Sequence, residues 1–103
     1  MDRAIRWAEV ASNDLESIYS YIALDSHAYA SSMILRIIEL VDSLPEFPFQ
    51  GPVVPELDRD ELRQITVKGY RVIYRVAEHT IDVLGVIHGA RDLQELWEKE
   101  VRD

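Results

Sequence analysis

The sequence predicts an α+β domain: an antiparallel sheet packed on an N-terminal helical hairpin, with a short C-terminal helix. Three observations carry that expectation. Apolar residues recur at helical spacing between residues 13 and 44, and strand-like alternation takes over from Leu62. Between them the stretch PEFPFQGP, at 45–52, cannot continue a helix. Helices first and strands afterwards bury both apolar faces most simply as layers. A chain of 103 residues suits one core, so residues 1–103 read as a single domain.

Each element has its own signal. A short strand opens the chain around Ala4 to Ala8, with Ile5 and Trp7 on one face. Asn13 reads as a helix start because Glu16, three residues on, completes a capping box. Leu15, Ile18, Tyr19 and Ile22 follow the i, i+3, i+4, i+7 template. The run Ala23 to Ser26 ends that helix, and Asp25 or Ser26 caps a second one reaching about Leu44. Its stripe is Ala30, Met33, Ile34, Ile37, Ile38, Val41 and Leu44. The proline loop lasts to about Asp60. At the other end, Asp92 caps a short helix to Val101, with Leu93, Leu96, Trp97 and Val101 as its apolar side.

Between Leu62 and Asp92 the chain reads as a three-strand meander. Lys68 and Gly69 form a two-residue turn, Gly69 supplying positive φ. Val67 then faces Tyr70, Ile65 faces Val72 and Arg63 faces Tyr74. A second two-residue turn at Glu78 and His79 would set Arg75 opposite Asp82, Ile73 opposite Leu84 and Arg71 opposite Val86. Alternation sorts the side chains. Ile65, Val67, Tyr70, Val72, Tyr74, Val76, Ile81, Val83 and Ile87 face the helices, with Arg63 at the margin. Gln64, Thr66, Arg71, Ile73, Arg75, Asp82, Leu84, Val86 and His88 face away, and any chemistry belongs on that side.

Charge sharpens the question. The chain carries −8, yet residues 62–91 hold five basic groups (Arg63, Lys68, Arg71, Arg75, Arg91) against Glu78 and Asp82, a local +3. Such a strip is either a working surface or the internal partner of surplus carboxylates. A pI near 4.8 argues against broad direct nucleic-acid binding, which draws on many Lys and Arg. A basic partner chain is equally compatible with the excess. With no cysteine, no signal-peptide run and no segment near the ~20 apolar residues of a membrane span, the expectation is a cytoplasmic protein off the membrane.

Lys68, Arg71, Arg75, His88 and Arg91 are the candidate site residues. Arg75 with Asp82 reads as a cross-strand ion pair worth ~0.2–1 kcal/mol. Arg71 is either a structural partner or a bidentate anion binder. His88, near arginines, suits proton transfer around neutral pH. His27 and His79 sit at turns, and no spacing suggests a metal or other cofactor. Tyr70 and Tyr74 read as core residues whose hydroxyls reach the edge, and Trp7 and Trp97 as packing. No glycine-rich phosphate loop or nucleophile elbow is present.

The order strand, helical hairpin, LPEFPFQG, GYRVIYRV, then VIHGARDL resembles the RelE/ParE superfamily of bacterial toxins over nearly the whole chain, and is most similar to its ParE-like, plasmid-stabilisation branch. The resemblance implies two activities to choose between. RelE-like members cut messenger RNA on the ribosome without metal. They use two lysines, two arginines and a C-terminal tyrosine. Here Arg71 and Arg91 match the arginines. The lysine positions fall near Leu62 and Gln64, and the tyrosine position near Trp97. Some related nucleases use histidine instead, which would bring in His88. ParE-like members lack that set and poison DNA gyrase by binding it. Both imply a small cognate antitoxin. The reading is therefore a gyrase-binding toxin, with an endoribonuclease built on Arg71, His88 and Arg91 as the alternative, and a non-toxic binding module of the same fold behind it.

Overall fold

The computed structural model describes residues 2–88 and 93–101. β1 spans Ala4–Trp7, α1 Glu9–Ala23, α2 His27–Asp42, β2 Leu62–Val67, β3 Tyr70–Val76, β4 Thr80–His88 and α3 Leu93–Leu96, which widens into a π-type turn at Trp97–Val101. The strands order as β1-β4-β3-β2. β2, β3 and β4 form the expected antiparallel meander, and β1 adds to β4 in parallel, so the sheet is mixed. Helices on an antiparallel-dominated sheet are the α+β architecture that the element order predicts.

α1 begins at Glu9, four residues before the expected cap. Ala8 donates its N–H to the Val83 carbonyl at 2.9 Å, so β1 hands the chain straight into the helix, and no side chain caps it. Glu9 in the first turn complements the helix dipole instead. Asn13 and Glu16 lie within the helix on its exposed side. Ser26 caps α2 as expected, its Oγ accepting from Tyr29 N–H at 3.1 Å. The stripe of α2 is well read: Ala30, Met33, Ile37, Val41 and Leu44 are buried.

Both predicted turns form. Lys68 and Gly69 have φ of 51° and 88°, the double positive φ of a type I′ hairpin, and β2 pairs with β3 in the predicted register. Ala77 N–H reaches the Thr80 carbonyl across Glu78 and His79, and Arg75 faces Asp82.

Beyond that point the register departs from expectation. Tyr74 faces Val83 but Ile73 faces Gly85, leaving Leu84 as an extra residue on β4. This bulge moves every later β4 side chain to the opposite face. Arg71 therefore faces Ile87 and Val72 faces Val86. Val86 joins the core beneath the helical hairpin, while Ile87 joins a second apolar cluster on the far side. Asp14 on α1 accepts the Val86 N–H at 2.9 Å beside the bulge.

The far face is covered too. Ile73, Leu84 and Ile87 pack there with Leu93, Leu96 and Val101 from the C-terminal segment and Val54 from the loop. Burying each such aliphatic side chain contributes about 1.5–3 kcal/mol. The loop is held by Tyr74, whose hydroxyl donates to the Pro48 carbonyl at 2.9 Å and accepts from Gly51 N–H at 3.2 Å. Tyr74 is thus a core residue whose hydroxyl fastens the loop. Asp92, the expected cap of the last helix, lies outside the described residues.

Candidate functional site

Three cations of the strip, Arg63, Arg71 and Arg75, have internal partners. Arg63, on β2, donates to the Asp60 carboxylate at 2.7 Å and to the Asp60 and Gly51 carbonyls, with its guanidinium 4.9 Å from the Phe49 ring centroid. Arg71, on β3, is only 9% exposed. Its two terminal nitrogens grip both carboxylate oxygens of Glu56 at 2.8 Å, and its Nε donates to Gln64 Oε1 at 2.9 Å. A bidentate clasp with a third hydrogen bond is the geometry in which a buried guanidinium is best satisfied. Arg71 also depresses the Glu56 pKa, chiefly through these hydrogen bonds.

Arg75 reaches Asp82 at 3.5 Å, as its cross-strand position predicts. Arg6, from β1, lies 3.1 Å from the other Asp82 oxygen, a third member that the meander alone does not reveal. That oxygen is buried and accepts no hydrogen bond, so the Arg6 contact is electrostatic. Arg59 pairs with Glu61 and holds the Glu61 pKa below its ordinary value. Lys68 stands exposed at the hairpin turn.

His88 does not join this group. It is paired with Tyr70, their ring centroids 5.0 Å apart, on the face toward the helical hairpin, whereas Arg71 points to the other face. The expectation that Arg71 and His88 share one outward surface is therefore overturned, and the bulge at Leu84 is the reason. Arg91 lies outside the described residues.

Two features were not anticipated. Glu56 has no periodic or motif signal, since it sits in an irregular loop 15 residues before its partner. Beside it opens a cleft of about 430 Å³, lined by Glu56, Leu57, Leu93, Gln94 and Trp97. Among the described residues no group of three His, Cys, Asp or Glu could hold a metal ion, and no helix is long and apolar enough to cross a membrane.

The family model described as ParE toxin of type II toxin–antitoxin system, parDE, matches residues 5–93. Toxin RelE2 of Caulobacter vibrioides is 32% identical over 85 residues, covering 82% of this chain and 93% of that protein. A structure of the chromosomal ParDE toxin–antitoxin system from P. aeruginosa superposes with a TM-score of 0.70 at 24% identity, over 84% of this chain and 96% of that one. A mutant of E. coli toxin RelE in the free state gives 0.67 at 15% identity, covering 99% and 97%. The RelBE2 toxin–antitoxin complex of Mycobacterium tuberculosis gives 0.60 at 19% identity, over 85% and 99%. These three structures share the fold.

Proposed function

The chain belongs to the ParE toxin family of type II toxin–antitoxin systems, and from that premise we propose that it acts in the cytoplasm by binding DNA gyrase. A cognate antitoxin holds it in check. The observation that carries this reading is the Arg71 clasp. A nuclease of this fold needs unpaired cations facing a scissile phosphate, where they stabilise developing negative charge. Arg71 instead has its charge and hydrogen-bonding fork directed at Glu56 and Gln64. Leu62 and Gln64 stand near the lysine positions that the RelE resemblance implies, and Leu62 is fully buried. Trp97 near the tyrosine position has no hydroxyl to supply a proton. Inhibition by docking requires none of these groups, only a complementary surface.

Induction of the chain in a bacterial host, with plasmid topology and messenger RNA followed together, tests the reading. Gyrase inhibition appears as loss of negative supercoiling, cleaved DNA trapped on the enzyme and a DNA-damage response. Translation arrest with codon-phased cuts and normal supercoiling would overturn it. That outcome is the second reading, a ribosome-dependent endoribonuclease, which the similarity to a protein named RelE2 favours. In that case Arg71→Ala with Arg91→Ala abolishes cleavage. Unaffected growth would mark a binding module without toxicity.

A further inference from the structure

We infer that Arg71 and Gln64 form a binding site for a dianionic phosphate group, closed in the resting chain by Glu56. Three observations converge. First, the guanidinium is presented as a receptor for an oxyanion. Its two terminal nitrogens meet the two Glu56 oxygens at 2.8 Å each, along the edge that carboxylate and phosphate share as ligands. Its Nε is held separately by Gln64 Oε1 at 2.9 Å, so the fork stays aimed when Glu56 departs.

Second, the two ionic partners are unequally anchored. The Arg71 side chain is 11% exposed and that of Glu56 38%. Glu56 rides on a turn whose backbone is closed without its carboxylate. Leu57 and Asp58 donate their N–H groups to the Val54 carbonyl at 3.1 and 3.0 Å. Val54 N–H reaches the Leu62 carbonyl at 3.0 Å, and Leu62 N–H reaches the Arg59 carbonyl at 3.0 Å. Rotation about the Glu56 side-chain bonds frees the fork and breaks none of these. Third, there is room for an entrant. Glu56 lines the cleft of about 430 Å³ with Leu57, Leu93, Gln94 and Trp97, so it has open space on one side and the guanidinium on the other. That volume lies within the range of small-ligand sites.

Charge explains both the silence of the site and its preference. A tethered carboxylate competes at high effective concentration, so a weak anion does not enter. When Glu56 turns outward it leaves a largely buried cation uncompensated, and an incoming anion restores the pairing. A phosphate dianion carries more charge than the carboxylate it replaces and has further oxygens to turn toward the cleft. The inference holds whichever target the toxin has.

The test titrates the full chain with inorganic phosphate while NMR follows Arg71 Nε–H and the Glu56 carboxyl carbon. In the native chain both signals should move together, and only at high phosphate, as one oxyanion replaces the other. Glu56→Ala empties the fork, and Glu56→Gln keeps the size but removes the charge. Both variants should bind phosphate roughly tenfold more tightly, because the competent state is no longer masked. Arg71→Lys added to Glu56→Gln should reverse the gain, since an ammonium cannot present a fork. Ribose 5-phosphate, run in parallel, separates the sources: tighter binding than phosphate assigns a phosphomonoester, and equal binding a free phosphate. Several results would overturn the inference. These are native signals that phosphate leaves unmoved, affinity unchanged by both Glu56 variants, acetate binding as tightly as phosphate, or shifts centred on Lys68. The native titration keeps the test decisive if a variant fails to fold. Supercoiling is measured separately, so failure here and failure of the gyrase reading are told apart.

Discussion

Tyr74 and Glu56 each hold a stretch of irregular loop against the sheet, one by neutral hydrogen bonds and the other by charge. Burial pushes the Tyr74 phenol above its ordinary pKa, with the hydrogen bond from Gly51 N–H opposing that rise. Tyr74→Phe would strand the Pro48 carbonyl and the Gly51 N–H without their partner. A loss of about 1–3 kcal/mol is expected in urea unfolding; a change below a few tenths would mean that water replaces the hydroxyl. The Glu56 carboxyl is held below its ordinary value of 4.5 by hydrogen bonds from Arg71. Its contribution is therefore complete above pH 4.5 and disappears as pH falls through the lower folded-state value. Glu56→Gln should flatten the acid limb of the stability profile and leave a residual slope from Glu61, which Arg59 shifts in the same direction. An unchanged acid limb would show that the clasp does not couple to folding. The two arginine pairs differ in legibility for a physical reason. Arg75 with Asp82 follows from strand register, whereas Glu56 reaches Arg71 through a loop with no period to read.

Periodic and locally paired elements were the legible ones. The two hairpin turns, the apolar stripe of α2 and the inward face of β3 are set by neighbours close in sequence, and each forms as read. The parallel pairing of β1 with β4 joins residues far apart in the chain, and no local signal specifies it. The bulge did leave a trace, because Gly85 is a lone glycine inside an apolar strand. Its place in the packing explains the residue: a Cβ there would lie 2.8 and 3.0 Å from the Leu96 methyls and 3.3 Å from Asp14 Oδ2. The methyls end a flexible side chain on a short helix, so α3 yields before β4 does. Gly85→Ala should cost about 1–3 kcal/mol and speed amide exchange across Leu93–Leu96. Adding Leu96→Ala should cost less than the sum of the single changes, since the clash is then relieved. Strict additivity would place the strain elsewhere, in the bulge itself or at Asp14.

At the scale of the molecule, charge is segregated by layer. In the sheet and its loops Glu56, Asp60, Glu61 and Asp82 meet arginines at short range, while residues 9–42 hold six carboxylates against Arg36 alone, a net −5. Salt acts unequally on the two. Close, partly buried pairs are screened little, but exposed charges many ångströms apart are screened strongly as the Debye length falls from about 30 Å at 0.01 M to about 8 Å at 0.15 M. Two like charges ~10 Å apart in water repel by about 0.4 kcal/mol, and residues 9–42 carry five more carboxylates than arginines. Raising ionic strength over that range should therefore stabilise the free chain, by on the order of 1 kcal/mol in urea unfolding. Glu16→Lys with Asp25→Lys should remove much of that dependence, because it relieves the repulsion that salt otherwise screens. If stability instead falls with added salt, attraction within the arginine pairs outweighs repulsion on the hairpin. The layers would then be balanced in the opposite sense, with the sheet pairs and not the hairpin setting the electrostatic response of the free toxin.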